Sequence, residues 1–265
     1  MSLLNKFKKI KSKIKILYFL KKYNIKDYEL IEDEENSYIV NVNGNVCLID
    51  SNLKSINIQF NEVSGYFDCS YNQLKSLKGC PKVVKDFYCN YNELTSLEFS
   101  PEIVDGSFDC NLNKLTSLEG CPKIIKGNFF CTNNQLKSLE AGPKIIEGDF
   151  LCNKNKLTSL KGCPDKLKNF DCSYNELTSL EGSPDIVHNF YASCNRLNSL
   201  KGCPEIIIEN FLVNYNNLTI DSLKKLPKEI KNNYIFLDNN EKLGELQKIH
   251  NFEELKEKLN IYFEK

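Results

Sequence analysis

The sequence predicts an α/β repeat solenoid, with a curved parallel β-sheet on one side, extended or 3-10 segments on the convex side, and a helical cap at each end. Three observations predict it. A unit F-x-C-x-x-N-x-L-x-x-L-x-x-C-P recurs every 20 or 21 residues, its phenylalanines standing at Phe67, Phe87, Phe108, Phe129, Phe150, Phe170, Phe190 and Phe211. Five residues after each comes an asparagine, from Asn72 to Asn216, without exception. Seven residues after each comes a leucine, from Leu74 to Leu218. A period so short lets each unit bury its apolar side chains only against its neighbours, which is what defines a solenoid.

The first segment, 1–45, is basic and helical. Residues 1–26 hold nine lysines and no acid, so the rest of the chain carries −9, because 35 basic and 35 acidic residues cancel overall. Leu3, Phe7, Ile10, Ile14 and Leu17 recur at steps of 4, 3, 4 and 3, one face of an amphipathic helix. Its longest apolar run, Ile16 to Leu20, is too short to span a membrane. Two roles are open to it. Either the apolar face packs on the first coil as a cap, or the lysines bind an anionic surface, membrane or nucleic acid. The stretch Asp27 to Glu35 then turns acidic and offsets the lysines nearby.

The solenoid itself occupies 46–243. Val46, Leu48, Ser51, Leu53 and Ile56 read as a degenerate first coil that lacks the asparagine. Phe and Cys lie two apart in the unit, so on a strand both point to the same side, the interior. Parallel strands about 4.8 Å apart then stack these side chains into ladders. The asparagine falls where the strand turns away, and its amide can both donate to and accept from backbone groups that nothing else pairs. Gly79-Cys80-Pro81, Gly120-Cys121-Pro122, Gly162-Cys163-Pro164 and Gly202-Cys203-Pro204 mark a turn, since proline fixes φ and donates no hydrogen bond. An apolar pair such as Ile124-Ile125 leads into the next strand, and so short a unit leaves no room for a convex helix. Ile235, Leu237, Asn240 and Leu243 form a last, irregular coil. Leu246, Ile249, Phe252, Leu255 and Leu259 follow at helical spacing, which predicts a capping helix within 244–265.

This unit resembles the leucine-rich repeat, L-x-x-L-x-L-x-x-N-x-L, with Phe at the second apolar position and Cys at the third. Phe150-Leu151-Cys152-Asn153-Lys154-Asn155-Lys156-Leu157 carries that segment intact. The resemblance is to the short class found in bacterial secreted effectors and in phage or giant-virus proteins. Lysine outnumbers arginine 34 to 1, a bias that suits an A/T-rich genome such as a giant virus's. The resemblance implies a concave sheet face that binds a protein partner. Effectors with similar repeats carry a ubiquitin-ligase domain with a catalytic cysteine. Here nothing of domain size follows the repeats, and the tail after Cys203 has no cysteine.

Of the 12 cysteines, Cys69, Cys89, Cys110, Cys131, Cys152 and Cys172 occupy the inward strand column, which Ala192 and Val213 fill in later copies. That exchange calls for a small apolar group, a role that buried free cysteine fills. The turn cysteines lie two repeats apart, roughly 10 Å by strand spacing, beyond the reach of a disulfide. Reduced thiols are the expectation, and with them a cytoplasmic location, the host's for a virus or effector. With only His188 and His250 and no C-x-x-C pair, the sequence points to no metal. It also shows no triad, no phosphate loop and no cofactor motif, so an enzyme is not expected.

The varying positions flank the inward Phe and Cys. Directly after the Phe stand Asp68, Tyr88, Asp109, Phe130, Leu151, Asp171, Tyr191 and Leu212. Four after it stand Tyr71, Tyr91, Leu112, Asn133, Lys154, Tyr174, Cys194 and Tyr215, and directly before it stand Tyr66, Asp86, Ser107, Asn128, Asp149, Asn169, Asn189 and Asn210. These columns hold five aspartates against one lysine, with aromatics between. Outward aromatics mark an interface, although strands favour them and cross-strand stacking alone accounts for some. The expected site is therefore Asp68, Tyr88, Asp109, Phe130, Leu151, Asp171, Tyr191, Tyr71, Tyr91 and Tyr174, suited to a basic protein and not to nucleic acid. The alternative is an adaptor held to a membrane or nucleic acid by residues 1–26.

Overall fold

The computed structural model describes residues 3–33, 37–232 and 234–263, and the side chains of 3–6 lie outside the description. The expectations for Leu3, for Lys6 and for residues 34 and 35 of the acidic stretch therefore fall outside it.

Helix α1 (Leu3–Lys22) leads into an antiparallel hairpin of β1 (Tyr28–Glu32) and β2 (Tyr38–Val42), in the register Tyr28↔Val42. From there the chain winds as a parallel β-solenoid. Strand β3 (Val46–Cys47) and β2 both pair in parallel with β4 (Phe60–Asp68), and β4 pairs with β5 (Val83–Tyr88). Each later coil adds two or three paired residues, from Phe108–Asp109 to Tyr234–Phe236. Phenylalanine lies on phenylalanine throughout, as in Phe108↔Phe129 and Phe150↔Phe170.

The register turns the repeated residues into ladders. All eight phenylalanines are at most 1% exposed, and successive rings from Phe67 to Phe211 lie 5.2–5.9 Å apart. That spacing falls within the range of favourable offset and edge contacts. The six strand cysteines are fully buried, as are Ala192 and Val213. All twelve cysteines are free thiols. Cys110 Sγ points at the Phe130 carbonyl, 3.4 Å away in the next coil. Burial pushes the thiols of Cys110, Cys131 and Cys152 well up, which keeps them neutral.

The asparagine ladder works as its chemistry demands. The amide nitrogen of Asn134 donates to the carbonyls of Cys110 (3.0 Å) and Cys131 (3.2 Å), and its oxygen accepts from the Leu115 N–H (3.0 Å). The same pattern recurs at Asn92, Asn113, Asn155, Asn175, Asn195 and Asn216. At the C-terminal end Asn240, fully buried, accepts from the Leu218 N–H, so the irregular last coil keeps the ladder. At the N-terminal end the first coil has none; Asn72 of the next coil accepts the Leu53 N–H in the usual way and takes the Ser51 N–H as well.

The return arms are turns and extended chain. Cys80, Cys121, Cys163 and Cys203 each donate their N–H back to the leucine three residues earlier, and every proline that follows is buried. Gly162 shows why glycine opens the turn. Its φ is +94°, and a Cβ there would stand 2.5 Å from the Glu140 Cα of the preceding coil. The apolar pairs do more than lead into the strand. Ile103–Val104, Ile124–Ile125 and Ile145–Ile146 form a second parallel ladder, and Ile186–Val187, Ile206–Ile207 and Glu229–Ile230 form another. Among the described residues, 3-10 helix in the repeat region falls in the last coils, at Ile220–Lys225 and Glu241–Lys248.

Both caps differ in detail from the pattern in the sequence. The face of α1 that packs is Ile16, Phe19 and Leu20, with the Phe19 ring 6.1 Å from Phe60. Phe7, Ile10, Ile14 and Leu17 are exposed. The helix carries a second apolar stripe in its last two turns, and the left-handed turn at Asn24 (φ 53) directs that stripe, not the first, onto the coil. At the other end, helix α2 begins only at Phe252 and runs to Phe263, buried through Phe252, Leu255 and Leu259. The Asn251 oxygen accepts the Glu254 N–H and caps it. Leu246 is buried as well, but in the preceding 3-10 segment.

Candidate outward face of the sheet

The residues directly after each phenylalanine stand in register on adjacent strands: Asp68↔Tyr88, Tyr88↔Asp109, Asp109↔Phe130, Phe130↔Leu151, Leu151↔Asp171 and Asp171↔Tyr191. Because side chains alternate along a strand, burial of Phe and Cys turns this column outward. All seven are half-buried, wedged between their neighbours above and below.

The aspartates serve the backbone as well as the surface. One oxygen of Asp68 accepts the Ser70 N–H (2.9 Å), one of Asp109 the Asn111 N–H (2.8 Å), and one of Asp171 the Ser173 N–H (2.9 Å). Each carboxylate thus closes the strand end two residues on. Burial pushes the Asp109 carboxyl up to about 6, helped by the charge of Asp68 and opposed by the Asn111 N–H. Burial also raises Asp171, and it raises Tyr88 and Tyr191 beside these acids.

The column before each phenylalanine is a polar ladder. Asp86 accepts the Ser107 N–H, Ser107 the Asn128 N–H, Asn128 the Asp149 N–H, and Asn189 the Asn210 N–H. This second amide ladder was not legible as such. Its signal was the recurrence of Asn and Asp at one repeat position.

Tyr71, Tyr91 and Tyr174 do not stand on the strands. They and every other residue of the plus-four column have φ between 52 and 57, placing them at the left-handed corner where the strand ends. The side chains project into solvent, 43–54% exposed, and Tyr215 joins them. Tyr71 and Tyr91 stack with centroids 4.3 Å apart, and Lys154 lies 5.9 Å over the Tyr174 ring. The outward face is therefore a half-buried column of acids and aromatics, edged by a corner row rich in tyrosine. Among the described residues, no group of His, Cys, Asp and Glu is placed to hold a metal.

No family model matches the chain, and no curated protein matches it.

Proposed function

We propose that the protein is a non-catalytic interaction module of the leucine-rich repeat class, which takes a basic protein segment along the outward, concave face of its sheet. The observation that carries this is the tyrosine corner. A left-handed φ costs a non-glycine residue roughly 1–2 kcal/mol, and Asn or Gly would fill it more cheaply. Four of the eight full copies place an exposed tyrosine there, the residue type richest in binding energy at interfaces. Asp68, Asp86, Asp109, Asp149 and Asp171 on the adjoining columns favour a cationic partner and disfavour nucleic acid.

Selection from a displayed peptide library should recover lysine- or arginine-rich sequences. Phe130→Ala with Tyr191→Ala should weaken them well over tenfold in a titration, with the far-UV circular dichroism unchanged. Asp109→Asn with Asp171→Asn should chiefly flatten the salt dependence. Recovery of acidic peptides, or affinities within about twofold for the aromatic pair, would remove the sheet face as the site.

A further inference from the structure

Helix α1 has two apolar faces and only one of them is covered. Each residue turns an α-helix by about 100°, so Phe7, Ile10, Ile14 and Leu17 lie on the side opposite Ile16 and Phe19. The packed face meets the first coil. The other is 65%, 57%, 63% and 38% exposed at those four residues. Four large apolar side chains in a continuous row are unusual on a surface otherwise dense in charge.

Beside this stripe runs a cleft of about 700 Å³ between α1 and the first coils. Lys8, Lys11 and Lys15 of the helix and Lys54, Lys75 and Lys78 of the coils line it, and among the described residues no acidic side chain does. The three coil lysines come from a different part of the sequence, yet the fold brings them to the same place. Lys9 and Lys13 lie over the ring of Tyr38, which borders the cleft, and Lys9 pairs with Glu32.

We infer that α1 is a membrane-surface element for anionic phospholipid, with the Phe7–Leu17 stripe at the acyl boundary and the lysine cleft holding headgroup phosphate. An apolar stripe flanked by lysines is the pattern of a helix lying in the plane of a bilayer surface. Among the described residues no helix is long and apolar enough to cross a membrane, so the element lies on the bilayer and does not span it. A nucleic acid would neutralise the lysines but leave Phe7, Ile10 and Ile14 in water. A second copy of the chain would cover the stripe but bring two lysine sets together. An anionic bilayer satisfies both. The inference is independent of the sheet-face reading, since it uses none of its residues.

Co-sedimentation of the full chain with vesicles decides it. The protein should bind phosphatidylcholine vesicles containing phosphatidylserine and not pure phosphatidylcholine. Ile10→Ser with Ile14→Ser should weaken binding at least about tenfold. The coil set Lys54→Gln, Lys75→Gln and Lys78→Gln should weaken it roughly fivefold per lysine. All these side chains are exposed, so the thermal melt should not move. A Phe7→Trp variant should show a blue-shifted emission on anionic vesicles, which a purely capping helix would not. The inference is overturned by equal binding to neutral vesicles or by none to anionic ones. It is overturned too by an unaffected serine variant, by duplex DNA binding that the serine variant retains with no vesicle binding, or by a dimer that the serine variant abolishes.

Discussion

Replacing Asn134 by alanine in the middle of the solenoid tests the ladder on which the coils hang. Asn134 is only 8% exposed, and its loss affects four backbone groups unequally. The Leu115 N–H, in a fully buried residue, has the Asn134 oxygen as its partner at 3.0 Å. The two cysteine carbonyls each keep another amide, because Cys110 also accepts from Asn113 (3.2 Å) and Cys131 from Asn155 (3.0 Å). The Thr132 carbonyl, a longer contact at 3.4 Å, keeps the Leu112 N–H, so one donor is orphaned and three acceptors are weakened. An unsatisfied buried group costs about 1–3 kcal/mol, so the variant should lose about 2–3 kcal/mol. Asn134→Asp separates the two contributions. It keeps the acceptor for Leu115 but sets a carboxylate against the carbonyls of Cys110 and Cys131. Its folded pKa is then raised, so its stability should fall further as pH rises above about 4, the unfolded value. Urea titration followed by circular dichroism measures both, with the slope reporting whether the coils still unfold together. An alanine variant within about 0.5 kcal/mol of wild type at unchanged slope would refute the reasoning.

The repeat period carried most of the fold because each inward position recurs in every coil. Phe67 to Phe211, the cysteine column and the asparagines all lie where their spacing puts them. What the spacing could not carry was anything decided once. Helix α1 offers two stripes of helical period, and the choice between them depends on the turn at Asn24 and on contact with Phe60, a residue outside the repeat. Likewise nothing in the repeat spacing marks Lys54, Lys75 and Lys78, and only the docking of α1 makes them part of a cleft. The outward column was legible from strand alternation. The plus-four tyrosines were misplaced because alternation stops at the left-handed corner, and backbone conformation, not period, decides where they point.

Three further predictions rest on single sites. Cys110→Ala should cost about 1 kcal/mol in a urea titration, since Ala192 already serves the same column and only one small group is lost; a cost above about 3 kcal/mol would mean that the thiol does more than pack. Phe99 takes φ 66 in the turn where Gly79, Gly120 and Gly162 stand in other coils, and its ring is 52% exposed. Phe99→Gly should therefore raise stability by about 1 kcal/mol, and a loss would show that the ring packs on its neighbours. The last concerns pH. Burial raises the Asp109 carboxyl to about 6, so the folded protein holds that proton more tightly than the unfolded chain, whose value is about 3.9. Stability from this group is thus fully present below about 4 and is lost as pH rises through about 6. Asp109→Asn removes the titration while its side-chain oxygen still accepts the Asn111 N–H. Wild type should fall relative to the variant across that window, by of order 1 kcal/mol once residual solvent contact is allowed for, with a constant gap above it. Parallel curves from pH 4 to 7 would show that the carboxyl sits in water, and the half-buried outward column would lose the packing that places it there.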